Sequence, residues 1–275
     1  MSRYAPNLVF DLGAHRGEDS EYYLKLGFNV ICVECDPVHL AHLREKFQRE
    51  IAEGRLQLVD CAIAHRSGPV TFYRNLDASV WGTIEPEWAQ RNVRLGTRVE
   101  EVLVHAITPT ELMDRYGIPH YLKVDIEGAD VTVLHALSAF TERPPYLSFE
   151  SEAVSFEKLL TEFQLLDALG YDMFKVSPQH YVQEQRSGVF SQVDSSEYLF
   201  SEGSSGAFGE FLKGAWLTQS DAIACYKAIF VQYHLEHALR TGLLQGSYEA
   251  FLAKYGHQSV WFDTHARHSG MSKLD

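Results

Sequence analysis

Cysteine is scarce in this sequence: four residues (Cys32, Cys35, Cys61 and Cys225) in a chain of 275. That number rules out a disulfide framework and suits a reducing compartment. No apolar run comes near the about 18 residues that span a bilayer. The first residues, MSRYAPNLVFDLG, lack the apolar core and small-residue cleavage site of a secretory signal, so a cytoplasmic location is expected. Positive charge is short as well, since 24 Lys+Arg against 37 Asp+Glu give a net charge of −13. A nucleic-acid backbone or an anionic membrane needs a clustered positive field, so neither is expected as a partner. A small substrate, a cationic one in particular, is compatible with this balance. With 45% hydrophobic and 22% charged residues the chain is not disordered. At about 150 residues per domain its length suits one α/β domain with additions or two small domains.

No internal repeat or low-complexity tract interrupts the pattern. Residues 8–12 (LVFDL) read as a buried strand, and Gly17 to Leu26 as a helix stopped by Gly27. Asn29–Glu34 reads as a second strand. Asp36-Pro37 then supplies a cap and first-turn proline for a helix carrying Leu40, Leu43, Phe47 and Ile51, and Leu56–Val59 is a third strand. This β-α-β-α-β order opens a doubly wound parallel sheet. After a looser stretch from Gly68 to Glu101 the alternation resumes. Thr108-Pro109-Thr110-Glu111 is a capping box. Strands are expected at Tyr121–Ile126, Tyr146–Glu150 and Tyr171–Val176, with helices at Ala129–Leu137 and from Phe156 to Gly170 between them. From about 201 the style changes to a Gly/Ser segment, a helix from Asp221 to about Leu243, a shorter helix at 248–255 and the tail SVWFDTHARHSG. The expected organisation is a core over 1–200 and a helical C-terminal extension over 201–275 that caps the active site.

The segment VFDLGAHRGED carries the most information. Asp11 closes a strand, and Gly13 and Gly17 turn the chain sharply into a helix start, presenting backbone amides and the helix dipole to a ligand. Glu34 ends the next strand, where a carboxylate can accept both hydroxyls of an adenosine ribose. A dinucleotide fingerprint requires G-x-G-x-x-G. Here position 15 is His and the spacing is G-x-x-x-G, with an acid two residues before the first glycine. That acid would repel a pyrophosphate and suit a cationic amino-acid moiety such as that of S-adenosylmethionine (SAM). In isolation the same pattern is only a tight βα turn with a solvated Asp. Further on, YLKVDIEGADVTVL puts Asp125 at the mouth of a core strand, with Glu127 and Gly128 turning into the next helix. Ligands of open parallel sheets sit outside the carboxyl ends of the strands, so Asp11, Glu34, Asp125 and Glu150 converge on one crevice. Asp125 and Glu127 could equally be loop and helix-start residues favoured by the dipole.

DLGAHRGEDS, VECDP, AIAHRSGPVTFY and LKVDIEGAD, in that order, resemble the motif series of the FkbM family of SAM-dependent methyltransferases over about residues 8–176. WFDTHA is similar to the ending of a longer subgroup, and His15 stands where the family more often has Asn. The resemblance implies a Rossmann-like, mostly parallel seven-stranded sheet, SAM as methyl donor and usually a hydroxyl oxygen as acceptor. It puts Asp11, Gly13 and Gly17 at the methionine end, Glu34 on the ribose, and Asp60-Cys61-Ala62 beside the adenine, with His15 a further cofactor-binding candidate. Asp125 would face the amino group or the reacting centre.

Methyl transfer from a sulfonium is an in-line displacement that depends on alignment and desolvation, and an alcohol needs a base within reach. The candidates are Asp125, Glu127, Glu150 and His265, with Glu127 and His265 favoured, the latter because its tail could fold over the crevice. Lys123 alternates with Asp125 and could instead form a structural ion pair. Ser79, Trp81 and Glu150 are the candidate acceptor contacts, the first two from the loop Asn75–Trp88. No metal is expected, although Asp125 and Glu150 end neighbouring strands as hard-cation ligands do. The Cys32-x-x-Cys35 pair lacks a second half for zinc. The expected activity is O-methylation of a small hydroxylated metabolite, sugar or polyketide, and a homo-oligomer is compatible with it. The rivals are an NAD(P)-dependent oxidoreductase on the same sheet and a non-catalytic SAM-binding partner subunit.

Overall fold

The computed structural model describes residues 3–153, 155–188, 197–240 and 261–270. The first apolar run forms β1 (Tyr4–Leu12), and a tight turn leads into α1 (Glu18–Lys25). After β2 (Asn29–Glu34), Asp36 Oδ1 accepts the Val38 amide at 2.8 Å and caps α2 (Pro37–Lys46). A break at Phe47 separates α3 (Gln48–Ala52), which leads to β3 (Leu56–Asp60).

The stretch without clear periodicity forms a small second layer. It consists of β4 (Ala62–Ile63), β5 (Gly68–Asn75), α4 (Pro86–Arg94) and β6 (Val99–Ile107), with strand order β4-β6-β5. The capping box then starts α5 (Pro109–Tyr116): Thr108 Oγ1 accepts the Glu111 amide at 3.1 Å, and the Glu111 carboxylate accepts the Thr108 amide at 2.9 Å. The main alternation continues through β7 (Ile118–Val124), α6 (Asp130–Ala136), β8 (Tyr146–Glu150), α7 (Phe156–Ala168) and β9 (Met173–Pro178). A two-stranded pair follows, β10 (Arg186–Gly188) with β11 (Glu197–Leu199), then α8 (Gln219–Arg240) and β12 (Phe262–Arg267).

The main sheet has seven strands in the order β3-β2-β1-β7-β8-β12-β9, and all are parallel except β12. This is the expected doubly wound, Rossmann-like architecture. The segment 262–267 corrects one part of the expected extension: it is no helix and no tail over the crevice, but a strand inserted between β8 and β9. The helix expected at 248–255 lies outside the described residues. No helix among the described residues is long and apolar enough to cross a membrane.

Residues paired across strands share a face. Leu12, Val124 and Phe149 lie on one face, in a core with Leu134, Phe163 and Tyr226 from the helices. Each such side chain, fully buried, contributes about 1.5–3 kcal/mol. On the other face, Val9, Tyr121 and Tyr146 make an apolar lower row. Above them runs a polar row of Asp11, Lys123, Ser148, His265 and Lys175, and above that Glu150, Asp263 and Ser177. These polar rows lie at the carboxyl ends of the parallel strands.

Candidate functional site

The strand order reverses between β1 and β7, and in open parallel sheets that switch opens a crevice above the strand ends. An open cavity lies there, between the glycine turn, the end of β2, the β7–α6 loop and the small second sheet. Gly13 has φ +80°, and a Cβ on it would stand 1.8 Å from the Asp125 carbonyl oxygen, so only glycine lets the two strand ends meet. Gly17, the left-handed cap of α1, has no room either: a Cβ would lie 2.4 Å from the Phe47 ring. It shapes the turn and does not line the cavity.

The turn does not offer its amides to a ligand as expected. Gly13 and Ala14 N–H groups donate to the Val33 carbonyl at 3.1 and 3.0 Å, and that of Gly17 to Ala14 at 2.7 Å. The His15 amide donates to Glu34 Oε2 at 2.8 Å and that of Arg16 to Glu18 Oε2 at 3.2 Å. All five amides of residues 13–17 are satisfied within the chain, so the turn is no phosphate cradle. Glu34 Oε1 accepts the Cys35 and Asp36 amides, each at 2.8 Å. Its Oε2 has only the His15 amide and keeps a lone pair free at the cavity wall. Burial pushes the Glu34 carboxyl up despite these amides.

Under the cavity floor lies a buried cation. Lys123 Nζ stands 3.2 Å from Asp11, 3.3 Å from Asp19 and 3.4 Å from Asp125. Asp11 is 0% exposed and also accepts from Ser20 Oγ at 2.6 Å. It does not line the cavity, which corrects its expected position: Asp11 holds Lys123, and Lys123 with Asp19 and Asp125 faces the ligand space. Asp19 was absent from the sequence reading. Both its oxygens accept the Ser205 amide, at 2.9 and 3.0 Å, so the 201–216 segment is tied to this wall, where Gly203 lines the cavity. Burial lifts the Asp19 carboxyl to about 6, Lys123 pulls it down, and Asp11 pushes it up.

Asp125, Glu127 and Glu150 come together, with an oxygen from each within 4.8 Å of the others. Glu127 adopts φ +51° in the turn, and its carbonyl accepts from Thr83 Oγ1 at 2.7 Å. Burial, then the Glu150 and Asp125 charges, push the Glu127 carboxyl well up. Burial and Asp125 lift Glu150 to about 8. Asp125 and Glu127 line the cavity, whereas Glu150 stands behind them.

His265 requires a correction. It sits mid-strand in β12 between Ser148 and Lys175, 2% exposed, with both ring nitrogens buried and unpartnered among the described residues. Burial and then Lys175 depress it to about 3, so it is a neutral interior ring and no base over the crevice. Asp60 is also displaced: it is exposed and paired with Arg44 at 2.9 Å, while Cys61 and Ala62 do line the cavity. Ser79 lines it too and bonds His15 Nε2 at 2.9 Å, tying the second layer to the glycine turn. Trp81 does not line the cavity, and its carbonyl accepts from Asn92 Nδ2 at 3.0 Å. His39, packed on His15 at 4.2 Å between ring centroids, is a wall residue the sequence did not single out.

A buried carboxylate at the end of β2, further carboxylates around the cavity and a turn with no free amides fit SAM, whose sulfonium and ammonium are positive, and not a pyrophosphate. The fold and site are those of a SAM-dependent methyltransferase. The sequence profile of the methyltransferase FkbM domain matches residues 11–173, more than half of the chain, and the chain belongs to that family. No curated protein matches it. Precorrin-6y C5,15-methyltransferase from Geobacter metallireducens GS-15 is a similar solved structure: 16% identity over 62% of this chain, TM-score 0.35. The match spans 66% of that chain, just under two thirds of its length. Precorrin 8w decarboxylase from Methanobacterium thermoautotrophicum is 10% identical over 70% of this chain and 76% of its own, also at a TM-score of 0.35.

Proposed function

We propose that the chain methylates a hydroxyl oxygen of a small acceptor, a sugar, polyketide or similar metabolite. The observation that carries this reading is the carboxylate cluster opening onto the cavity beside the cofactor end of β1. When bound, SAM supplies an electrophilic methyl group on its sulfonium. Glu34 is assigned to the ribose hydroxyls through Oε2. Lys123 holds Asp125 in place at the methionine end. The apolar walls, Phe72, Val80 and Ile84 among them, exclude water from the reacting atoms.

Glu127 is assigned as the group that takes the hydroxyl proton. It lines the cavity, and its raised proton affinity brings it nearer to that of a useful base than an ordinary carboxylate. The occupied turn amides count against the NAD(P) rival, because a pyrophosphate would find no free donor there.

The test is incubation with methyl-labelled SAM and a panel of hydroxylated acceptors, with the product site read by NMR. The expected outcome is an O-methyl product, and Glu127→Gln should lower kcat at least about 100-fold while leaving S-adenosylhomocysteine (SAH) affinity within about threefold. Label on nitrogen or carbon only would contradict O-methylation. SAH binding with no turnover on any acceptor would favour a non-catalytic SAM-binding subunit.

A further inference from the structure

We infer that a second cavity, on the outer edge of β9, binds an amphipathic anion: a carboxylate or phosphate head group on a short apolar body. The site goes beyond the functional reading above and does not rest on it, since its lining shares no described residue with the cofactor cavity.

The cavity lies between β9, the start of β10 and residues 207–213. Three cations line it, Lys175, Arg186 and Lys213, and among the described residues no Asp or Glu does. In a chain of net charge −13 that is a local reversal of the field. Lys175 is the anchor, at only 5% exposed. Its Nζ donates to the Gly209 carbonyl at 3.1 Å and to the Leu212 carbonyl, and stands 4.4 Å from the centre of the Trp216 ring. These neighbours orient the ammonium without neutralising it. Burial pushes Lys175 below the ordinary lysine range, and Glu210, the acid whose charge it feels, is itself held by Arg267 at 2.8 Å and by Trp216 Nε1 at 3.0 Å. Arg186 spends only Nη1, on the Gln183 and Gln185 carbonyls, each at 2.8 Å, and its Nε and Nη2 have no partner among the described residues. Lys213 is exposed. A buried charge without a counter-ion is costly, and a bound anion offsets that cost.

The backbone makes a second, independent observation. β9 is the last strand of the main sheet. Phe174 turns its N–H and C=O away from β12, to Leu217, at 2.9 and 2.7 Å. Strand groups repeat every two residues, so Val176, which lines the cavity, turns its N–H and C=O out the same way. No described residue beyond the sheet takes that N–H. Pro178, the next position facing out, has no N–H and closes the edge. One open amide between the Leu217 bridge and Pro178 is too short an edge for an added strand, which selects a small ligand over a peptide. An anionic oxygen can accept from this amide and from the Arg186 fork together. Pro178, Ala207 and Phe211 supply the apolar wall for the body.

The test is calorimetric titration of the full-length chain at low salt with octanoate and with octyl phosphate. Octanol, octylammonium and inorganic phosphate are the comparison probes. At least one of the two amphipathic anions should bind at one per chain, about tenfold or more tighter than octanol or inorganic phosphate. Binding of one and not the other names the head group. Octylammonium should not bind. Arg186→Gln should weaken the anion about tenfold and Lys213→Gln about threefold. Neither residue is buried, so both variants should fold as the wild type does. Saturating SAH should leave the affinity within about twofold, as expected for separate sites. No binding of either anion at millimolar concentration, octanol binding as tightly as octanoate, affinity unchanged in both variants, or displacement by SAH overturns the inference. Each of these leaves the functional reading intact.

Discussion

The two flanks of β7 treat buried charge in opposite ways. On the β1–β2 side, Asp11, Asp19 and Glu34 all have partners: Lys123, Ser20, and backbone amides from the turn, the β2–α2 link and the 201–216 segment. On the β8–β12 side, Glu150 and Asp263 stand side by side and Asp130 keeps an unpartnered oxygen. Charges paired inside the fold are set before any ligand arrives, and their loss mainly costs stability. Charges left unpaired cost stability as they stand, so their presence points to a ligand or a reaction. The first flank is a preassembled floor, whereas the second presses its acids against one another.

The largest effect that would sharpen this contrast is removal of the floor's cation. Lys123→Met leaves three carboxylates uncompensated and should cost about 3–5 kcal/mol in urea unfolding. A loss below about 1 kcal/mol would mean that water reaches the cluster and that the flanks do not differ. Next comes Glu34→Gln, which keeps the shape and weakens the charge-assisted bonds. SAH affinity should fall about 10- to 150-fold, the equivalent of 1.5–3 kcal/mol, as read by calorimetry. Unchanged affinity would remove Glu34 from the ribose site.

On the other flank the sign should invert. Burial lifts Glu162 on α7 to about 8, from an ordinary value of 4.5. A folded value above the unfolded one favours the fold while the group is protonated, and that advantage fades as pH rises from about 4.5 to 8. Glu162→Gln should therefore gain stability relative to wild type on going from pH 5 to pH 8, on the order of 1–2 kcal/mol. A constant difference across that range would show that the carboxylate is well solvated. The smallest effect belongs to Asp60→Ala, which breaks an exposed pair with Arg44. It should cost about 0.5 kcal/mol or less and leave SAH affinity unchanged, whereas a large loss of affinity would return Asp60 to the adenine site.

What the sequence made legible follows the same division. The turn at Gly13 and Gly17, the carboxylate of Glu34, the capping box at Thr108 and the Asp125–Glu127 turn are local patterns, each set within a few residues, and all appear where the sequence puts them. Lys123 was readable as a member of a structural ion pair, but not as a hub, because Asp11 and Asp19 reach it from more than 100 residues away. Asp19 was not singled out, since its donor, Ser205, lies 186 residues on. β12 was hidden because Asp263, His265 and Arg267 face inward on a strand whose partners, β8 and β9, lie far back in the chain. Buried strands are recognised by apolar alternation, and a polar interior face removes that signal. β5 and β6 were missed for a milder reason: several of their residues are exposed, so the apolar pattern is diluted.

The central claim is that the cavity at the β1–β7 switch is a SAM site and not a dinucleotide site. Thermal unfolding of the full-length chain with saturating SAH, and separately with NAD and NADP, tests it most directly. A ligand at about 100 times its dissociation constant adds about 2.7 kcal/mol, which for a chain of this size is a rise of roughly 5–10 °C in Tm. The account predicts that rise with SAH alone. A rise with NAD or NADP alone, or none with SAH, would contradict it.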